Sequence, residues 1–275
     1  MNRSMITASV SMGQLQRQLD TISNNLSNSN TYGFKRRNVQ FADLLVQETN
    51  NQPNRKAEEG RLTPDGIRLG SGARVSGTAL RLEQGGVVET GRTLDVALLN
   101  PNVMFQIAKR LENNVEIIEY TREGSFYVTP VEGNPDQLQL TAANGDRVMS
   151  EDGPIEVPVG FDSISISGNG TIQAKMPDGT VVDAGRLALA EVVRPQLLES
   201  SGDNRFRVEP GTAVGQAIEQ VDQGEGLVQQ GALEQSNVNV AHEMTQLLTT
   251  QRSYQMNARA VTMADQMMGL VNTIR

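Results

Sequence analysis

The chain has 275 residues, no Cys and no Trp, 37% hydrophobic and 4% aromatic residues, and a formal net charge of −8. The missing thiols exclude disulfides, thiol catalysis and thiolate zinc sites, and the acidic balance disfavours nucleic acid as a partner. So few aromatics argue against a large, densely packed enzyme core, while the length leaves room for more than one domain.

The first expected element is a helix from about Ser4 to Ser27. Met5, Ala8, Met12, Leu15, Leu19, Ile22 and Leu26 recur at steps of three and four. That spacing draws an apolar seam, and a seam at heptad spacing wants a partner helix. Gln14, Gln16, Arg17, Gln18, Asp20, Ser23 and Asn24 form the polar face. The helix stops in SNNLSNSNTYG, residues 23–33, because Asn competes for backbone hydrogen bonds and Gly33 enters left-handed geometry freely. Two readings stay open for Asn24, Asn25, Asn28, Asn30, Thr31, Gly33 and Phe34. They form either a capped surface turn or an ordered, hydrogen-bonded joint. Lys35-Arg36-Arg37 reads as a solvated charge cluster at the helix exit.

Phe34, Val39, Phe41, Leu44, Leu45 and Val46 suit a short helix or an extended strip on an apolar surface. Residues 47–61 are polar and read as a linker or arm. The expected divisions are an N-terminal helical part (1–33), a linker or extended arm (34–75), a β domain (76–230) and a C-terminal helical part (231–275).

All ten prolines lie between Pro53 and Pro210, inside the part that carries β signals. Ser163 to Ser167 alternates strictly, Gly168-Asn169-Gly170 turns, and Thr171 to Ala174 returns, which spells a hairpin. Pro177-Asp178-Gly179 marks another turn before Val181 and Val182. Leu187 to Val193 reads as a buried strand. Many short strands with Gly and Pro turns imply a small, irregular, mostly antiparallel β domain.

The last helix is expected to begin after Asn239, its N-cap, with Glu243 in the positive first turn. It runs without Pro to Ile274, roughly 35 residues or ~50 Å. Its seam is Val240, Met244, Leu247, Gln251, Tyr254, Ala258, Val261, Met268 and Val271, with a shift after Val261. Gln251 inside the seam makes a uniform two-stranded zipper a poor description. The fold class is therefore α+β, with long terminal helices of coiled-coil type flanking the β domain.

Charge is uneven. Residues 1–45 carry net +3 and residues 233–275 balance, so the middle holds about −11. Nothing in the chain assembles a catalytic, metal or cofactor site. His242 is the single His and reads as a polar first-turn residue, Glu58-Glu59 and Glu151-Asp152 sit in polar loops, and no G-x-S-x-G elbow or phosphate loop occurs. Tyr32 and Phe34 beside Lys35 read as helix-exit packing, and the Met residues of the end helices as adaptable seam residues. No stretch approaches the ~18–20 apolar residues that cross a bilayer. The Ile6–Met12 run, broken by Thr7, Ser9 and Ser11, is a poor secretory core, so any export is expected to proceed without a cleaved signal.

Three strings carry a resemblance. SNNLSNSNTYGFKRRNVQFADLL (23–45) and QGALEQSNVNVAHEMTQLLTTQRSYQMNARAVTMADQMM (230–268) resemble the N- and C-terminal signatures of bacterial flagellar rod and hook proteins. TPDGIRLGSGARVSGTALRLEQGGVVETGRTLDVAL (63–98), together with YTREGSF (120–126), is similar to the distal-rod branch and its Gram-positive paralogues. The resemblance covers roughly half the chain. It implies a non-catalytic axial subunit of the flagellar basal body, in the rod or rod–hook region, without cofactor or small-molecule substrate. It further implies that the end helices pair in an inner tube, that the β domain lies outside, and that the subunit polymerises with its own copies and with other rod and hook subunits after passing the flagellar type III exporter. The chain departs from the family at Leu99-Asn100-Pro101-Asn102-Val103-Met104-Phe105, where a Gly-rich stretch ending in two Phe is usual, so a rebuilt strand is expected there. Two other readings fit the bare helices, a secreted coiled-coil adaptor or effector and a wall-remodelling enzyme, and the missing acid–base pair weighs against the last.

Overall fold

The computed structural model describes residues 2–44, 47–49, 67–70, 72–110, 116–131, 134–221, 224 and 226–273. It divides into two compact units. The first contains residues 1–26, 37–79 and 240–275, and the second contains residues 27–36 and 80–239.

The first unit is built on the end helices, α1 (Asn2–Ser27) and, at the far end of the chain, a second long helix over Val240–Thr273. The polar arm between residues 50 and 61 lies outside the described residues. Its flanks form two small antiparallel pairs. Strand β1 (Arg37–Asp43) is extended, which decides between helix and strip for part of that segment. Strands β2 (Gln47–Thr49) and β3 (Ile67–Leu69) pair with each other, and β4 (Ala73–Leu80) pairs with β1. The Gln14 side chain accepts a hydrogen bond from the Val75 amide at 2.8 Å and so ties β4 to α1.

The second unit is the β body. Its strands are β5 (Val87–Glu89), β6 (Val96–Leu98), β7 (Val103–Arg110), β8 (Glu116–Thr121), β9 (Phe126–Val131), β10 (Asn134–Ala142) and β11 (Arg147–Ser150). There follow β12 (Gly153–Pro154), β13 (Glu156–Pro158), β14 (Ser163–Ile166), β15 (Thr171–Lys175), β16 (Val181–Arg186), β17 (Leu189–Val192), β18 (Leu198–Gly202) and β19 (Arg205–Val208). A one-turn helix α2 (Val214–Ala217) leads into β20 (Ile218–Gln220), β21 (Val228–Gln230) and β22 (Ala232–Glu234), after which α3 (Val240–Thr273) begins.

The main sheet runs β13-β10-β11-β7-β8-β19-β18; β17 pairs with the start of β7, and β20 pairs with β17. Every strand pair with a determined register is antiparallel. Central β7 shows why one strand serves two cores. Successive side chains point to opposite faces, so Val103, Phe105 and Ile107 enter one cluster while Met104 enters the other. Phe105 and Phe126 meet edge to face at 5.1 Å between ring centroids. The departure at residues 99–105 is thus a turn feeding a fully buried strand start. The expected hairpin forms β14–β15 with Ser163 opposite Lys175 and Gly170 at positive φ. At the next turn the Asp178 carboxylate accepts from the Thr180 amide and hydroxyl, which holds its pKa below the usual carboxylate value.

Candidate functional site

Two polar joints organise the chain, one in each unit. In the first unit, Asn25 occupies the last turn of α1 and is 1% exposed. Its Oδ1 accepts from the Arg37 amide at 3.0 Å, and its Nδ2 donates to the Arg37 carbonyl at 2.9 Å. The amide side chain thereby imitates a strand neighbour and fixes the start of β1. Nδ2 also reaches Glu243 Oε2, on the first turn of α3, at 3.3 Å. Glu243 is buried at 2% exposure. Burial lowers the pKa of Arg37.

The second joint lies within the β body and gathers Lys35, Arg122 and Glu234, all with side chains at most 1% exposed. Lys35 Nζ donates to Glu234 Oε1 at 2.7 Å, to the Glu83 carbonyl at 2.7 Å and to the Leu82 carbonyl at 3.3 Å, which uses all three ammonium donors. Arg122 Nε donates to Glu234 Oε2 at 2.8 Å, while Nη1 reaches the carbonyls of Asn100 and Val103 at 2.6 Å and of Pro101 at 3.1 Å. Arg122 Nη2 lies 2.5 Å from the same Glu234 oxygen but is too poorly aligned to form a second hydrogen bond. Glu234 Oε1 also accepts from the Gly85 amide at 2.8 Å.

One carboxylate therefore serves two buried cations. Burial, reinforced by the Arg122 guanidinium, pushes the Lys35 pKa down to about 8 against the opposing pull of Glu234. Burial also lowers Arg122, again with Glu234 opposing. The solvated reading of Lys35 is corrected here: the residue is 1% exposed, because its charge partner lies far along the chain. Arg36 keeps a more ordinary pair with exposed Glu83 at 2.9 Å.

The backbone around this joint is pressed together. Gly33 sits at φ +66°, donates to the Glu234 carbonyl at 2.7 Å, and would place a Cβ 2.6 Å from the Arg122 carbonyl carbon. At Gly85 a Cβ would lie 1.9 Å from the Gln235 carbonyl oxygen. Asn237 completes the frame. Its Oδ1 accepts from the Arg36 amide at 2.8 Å, and its Nδ2 donates to the carbonyls of Arg81 and Glu83, both at 2.9 Å.

The other joint residues are placed as follows. Thr31 donates through Oγ1 to Asn28 Oδ1 at 3.3 Å, and the Phe34 amide donates to the Thr31 carbonyl at 3.3 Å. Asn24 and Asn30 are exposed, and Phe34 is half-buried. Tyr32 is exposed rather than packed at the helix exit, and it lines a polar cleft of about 340 Å³ together with Ser29, Asn30, Gln235, Ser236 and Val238.

Along α1, Ala8 and Ile22 are buried, and Met5, Met12, Leu15, Leu19 and Leu26 are half-buried. Along α3, Leu247, Tyr254, Ala258, Val261 and Met268 are half-buried. Val240, Met244 and Gln251 are exposed, and the Val271 side chain lies outside the described residues. The covered line on α3 runs Glu243, Leu247, Thr250, Tyr254, Asn257, Val261, Ala264, Met268, with steps of four and three throughout. On its other sides α3 exposes Leu248, Met256, Met263, Met267 and Leu270, each at 50% or more. These apolar residues stand among exposed polar ones such as Arg252, Gln255 and Arg259.

A further ion cluster sits at the β10–β11 turn, where Arg205 pairs with Asp146 and lies 3.7 Å from Glu119. Among the described residues no three or more His, Asp or Glu gather closely enough to hold a metal ion, and no helix is long and apolar enough to cross a membrane.

These joints and the two-sided end helix define a class of protein: a structural subunit with a stapled β body and helical ends that carry more apolar surface than one chain covers. The chain matches the Flagella basal body rod protein family over residues 5–35, the Flagellar hook protein FlgE/F/G D1 domain over residues 100–174, and the Flagellar basal body rod FlgEFG protein C-terminal over residues 229–274. It is 42% identical to the flagellar hook-basal body complex protein FlhP of Bacillus subtilis over the whole of both chains. It is 34% identical to the flagellar basal-body rod protein FlgG of Buchnera aphidicola over 92% of each. With FlgG of Borreliella burgdorferi it shares 32% over 100% of this chain and 99% of that one. The chain belongs to the flagellar hook-basal body family of rod proteins, close to its distal-rod members, and is a structural component of the flagellar basal body. Lys35, Glu234 and Arg122 stand inside or beside the strings that carry the resemblance, yet sequence reasoning gave Arg122 and Glu234 no role.

Proposed function

We propose that this chain is an axial subunit of the flagellar rod or rod–hook region that polymerises through its end helices. In this reading α1 and α3 form an inner coiled-coil layer and the β body an outer one. Copies of the chain join one another and neighbouring rod and hook subunits, after export by the flagellar type III machinery without a cleaved signal, and the subunit performs no catalysis. The observation that carries the reading is the apolar surface of α3. Large apolar side chains left exposed along one helix mark a surface that other chains cover. One line is covered within the chain, while Met256, Met263, Met267 and Leu270 remain for others.

The test is deletion of the gene, with complementation by a labelled copy and imaging of isolated basal bodies. Loss of motility, with label on the axial structure after complementation, is expected. Normal swimming with intact hooks in the deletion strain would overturn the reading.

A further inference from the structure

Residues 227–237 bind β5, β6, β14 and the 33–36 and 81–85 segments of the β body. Strand β21 pairs with β6, with Val228 opposite Leu98, and β22 pairs with β5, with Leu233 opposite Val88. The Leu99 amide donates to the Leu227 carbonyl, the Thr90 amide to that of Gly231, and the Gly231 amide to that of Asp95. Gln230 Nε2 reaches the carbonyls of Thr93 and Ile164 at 2.8 and 3.0 Å, and its Oε1 accepts from the Ile166 amide at 3.1 Å. Glu234 and Asn237 then hold the 33–36 segment against the 81–85 segment. Val228, Ala232, Leu233 and Glu234 are all buried.

We propose that residues 227–237 are the clasp that closes the β body, so that the body stays open until nearly the whole chain has been delivered. The physical reason is charge and satisfaction together. Without this segment Lys35 and Arg122 would be two buried cations sharing no anion, a strongly destabilising arrangement. The two three-residue strands β5 and β6 would also lose the partners to which they are paired, and short unpaired strands are not independently stable. Closing the body is therefore the last step available to it, and that step uses the residues immediately before α3. The inference concerns folding of one chain and stands whether or not the end helices polymerise.

Native-state hydrogen exchange on the full-length wild-type chain, across a low denaturant series, tests it. The amides of Thr90, Leu99, Gly231 and Gln235 are expected to open with the same protection and the same denaturant dependence as those of β7 and β8. Clasp amides exchanging about 100-fold faster, with β7 and β8 still protected, would overturn the proposal. A second measurement uses full-length Glu234→Gln. Lost protection spreading through β5, β6, β7 and β8, or failure of the body to close at all, supports the clasp. Loosening confined to residues 33–36 and 227–237 counts against it.

Discussion

Glu234 and Lys35 meet at 2.7 Å although 199 positions separate them in the chain, and neither side chain is more than 1% exposed. The same carboxylate takes Arg122 at 2.8 Å. Removing the shared anion and removing one of its two cations are therefore unequal events. Glu234→Gln leaves two buried charges uncompensated and is expected to cost ~3–5 kcal/mol. Lys35→Met leaves the Arg122–Glu234 pair intact and fills similar space, so it should cost less than half as much. Urea titrations of the two variants against wild type measure this, and equal losses would mean that Glu234 acts only through Lys35.

The same cluster makes stability depend on pH in an unusual direction. Lys35 has an ordinary pKa of 10.5 and one of about 8 in the folded chain. Between those values the unfolded chain binds more protons than the folded one, so stability rises with pH. Below about 8 both states are protonated and the penalty for burying the ammonium is present in full. Tyr120, whose pKa burial raises above 10, works the other way only above pH 10. Urea midpoints measured from pH 7.5 to 9.5 should therefore increase for wild type relative to Lys35→Met. A flat difference across that range would show that Lys35 keeps its ordinary pKa on folding.

Gly33 and Gly179 separate strain from crowding. Both have positive φ, +66° and +86°. A Cβ at Gly179 meets nothing within 4 Å, whereas one at Gly33 meets the Arg122 backbone at 2.6 Å. Gly179→Ala should cost ~1–2 kcal/mol for left-handed geometry alone. Gly33→Ala should exceed ~4 kcal/mol, because two backbone segments would have to part. Similar melting temperatures for the two variants would contradict the close approach.

Asn25→Ala would strip the Arg37 amide and carbonyl and Glu243 of one partner at once. With buried groups left unsatisfied, a loss of ~2–3 kcal/mol is expected. Hydrogen exchange should show it first in residues 37–43, and unchanged protection there would mean that solvent replaces the side chain without cost.

The parts legible in the sequence were those whose signal is local. The helices announce themselves through three- and four-residue spacing and appear as Asn2–Ser27 and Val240–Thr273, the latter starting directly after Asn239. The hairpin at 163–174 follows from strict alternation around Gly168-Asn169-Gly170. The charged joint was not legible. Lys35 stands among Arg36 and Arg37 with nothing nearby to mark it as different, and a single sequence gives no way to pair it with a carboxylate from β22. Helix α3 shows the opposite difficulty. Its apolar positions are spread round the helix among polar ones, so the period alone does not choose a face, and the covered line includes Glu243, Thr250 and Asn257, which no hydrophobic pattern selects.

The apolar side chains that α3 leaves exposed give the last prediction. Leu19 and Tyr254 are half-buried on their helices, and aspartate at either should leave the β body folded while blocking incorporation, since an unpaired carboxylate in an apolar contact costs several kcal/mol or forces protonation. Met263 is the sharper probe. It is 56% exposed in the single chain, so Met263→Asp should change urea stability by no more than ~0.5 kcal/mol. If neighbouring copies cover that face, the same substitution should abolish incorporation into basal bodies and swimming, while Gln266→Glu, at an exposed polar position of the same helix, should behave as wild type. A strain carrying Met263→Asp that swims normally and shows labelled subunit in its rods would mean that this face of α3 stays uncovered in the assembly, and would remove the observation on which assembly through the end helices chiefly rests.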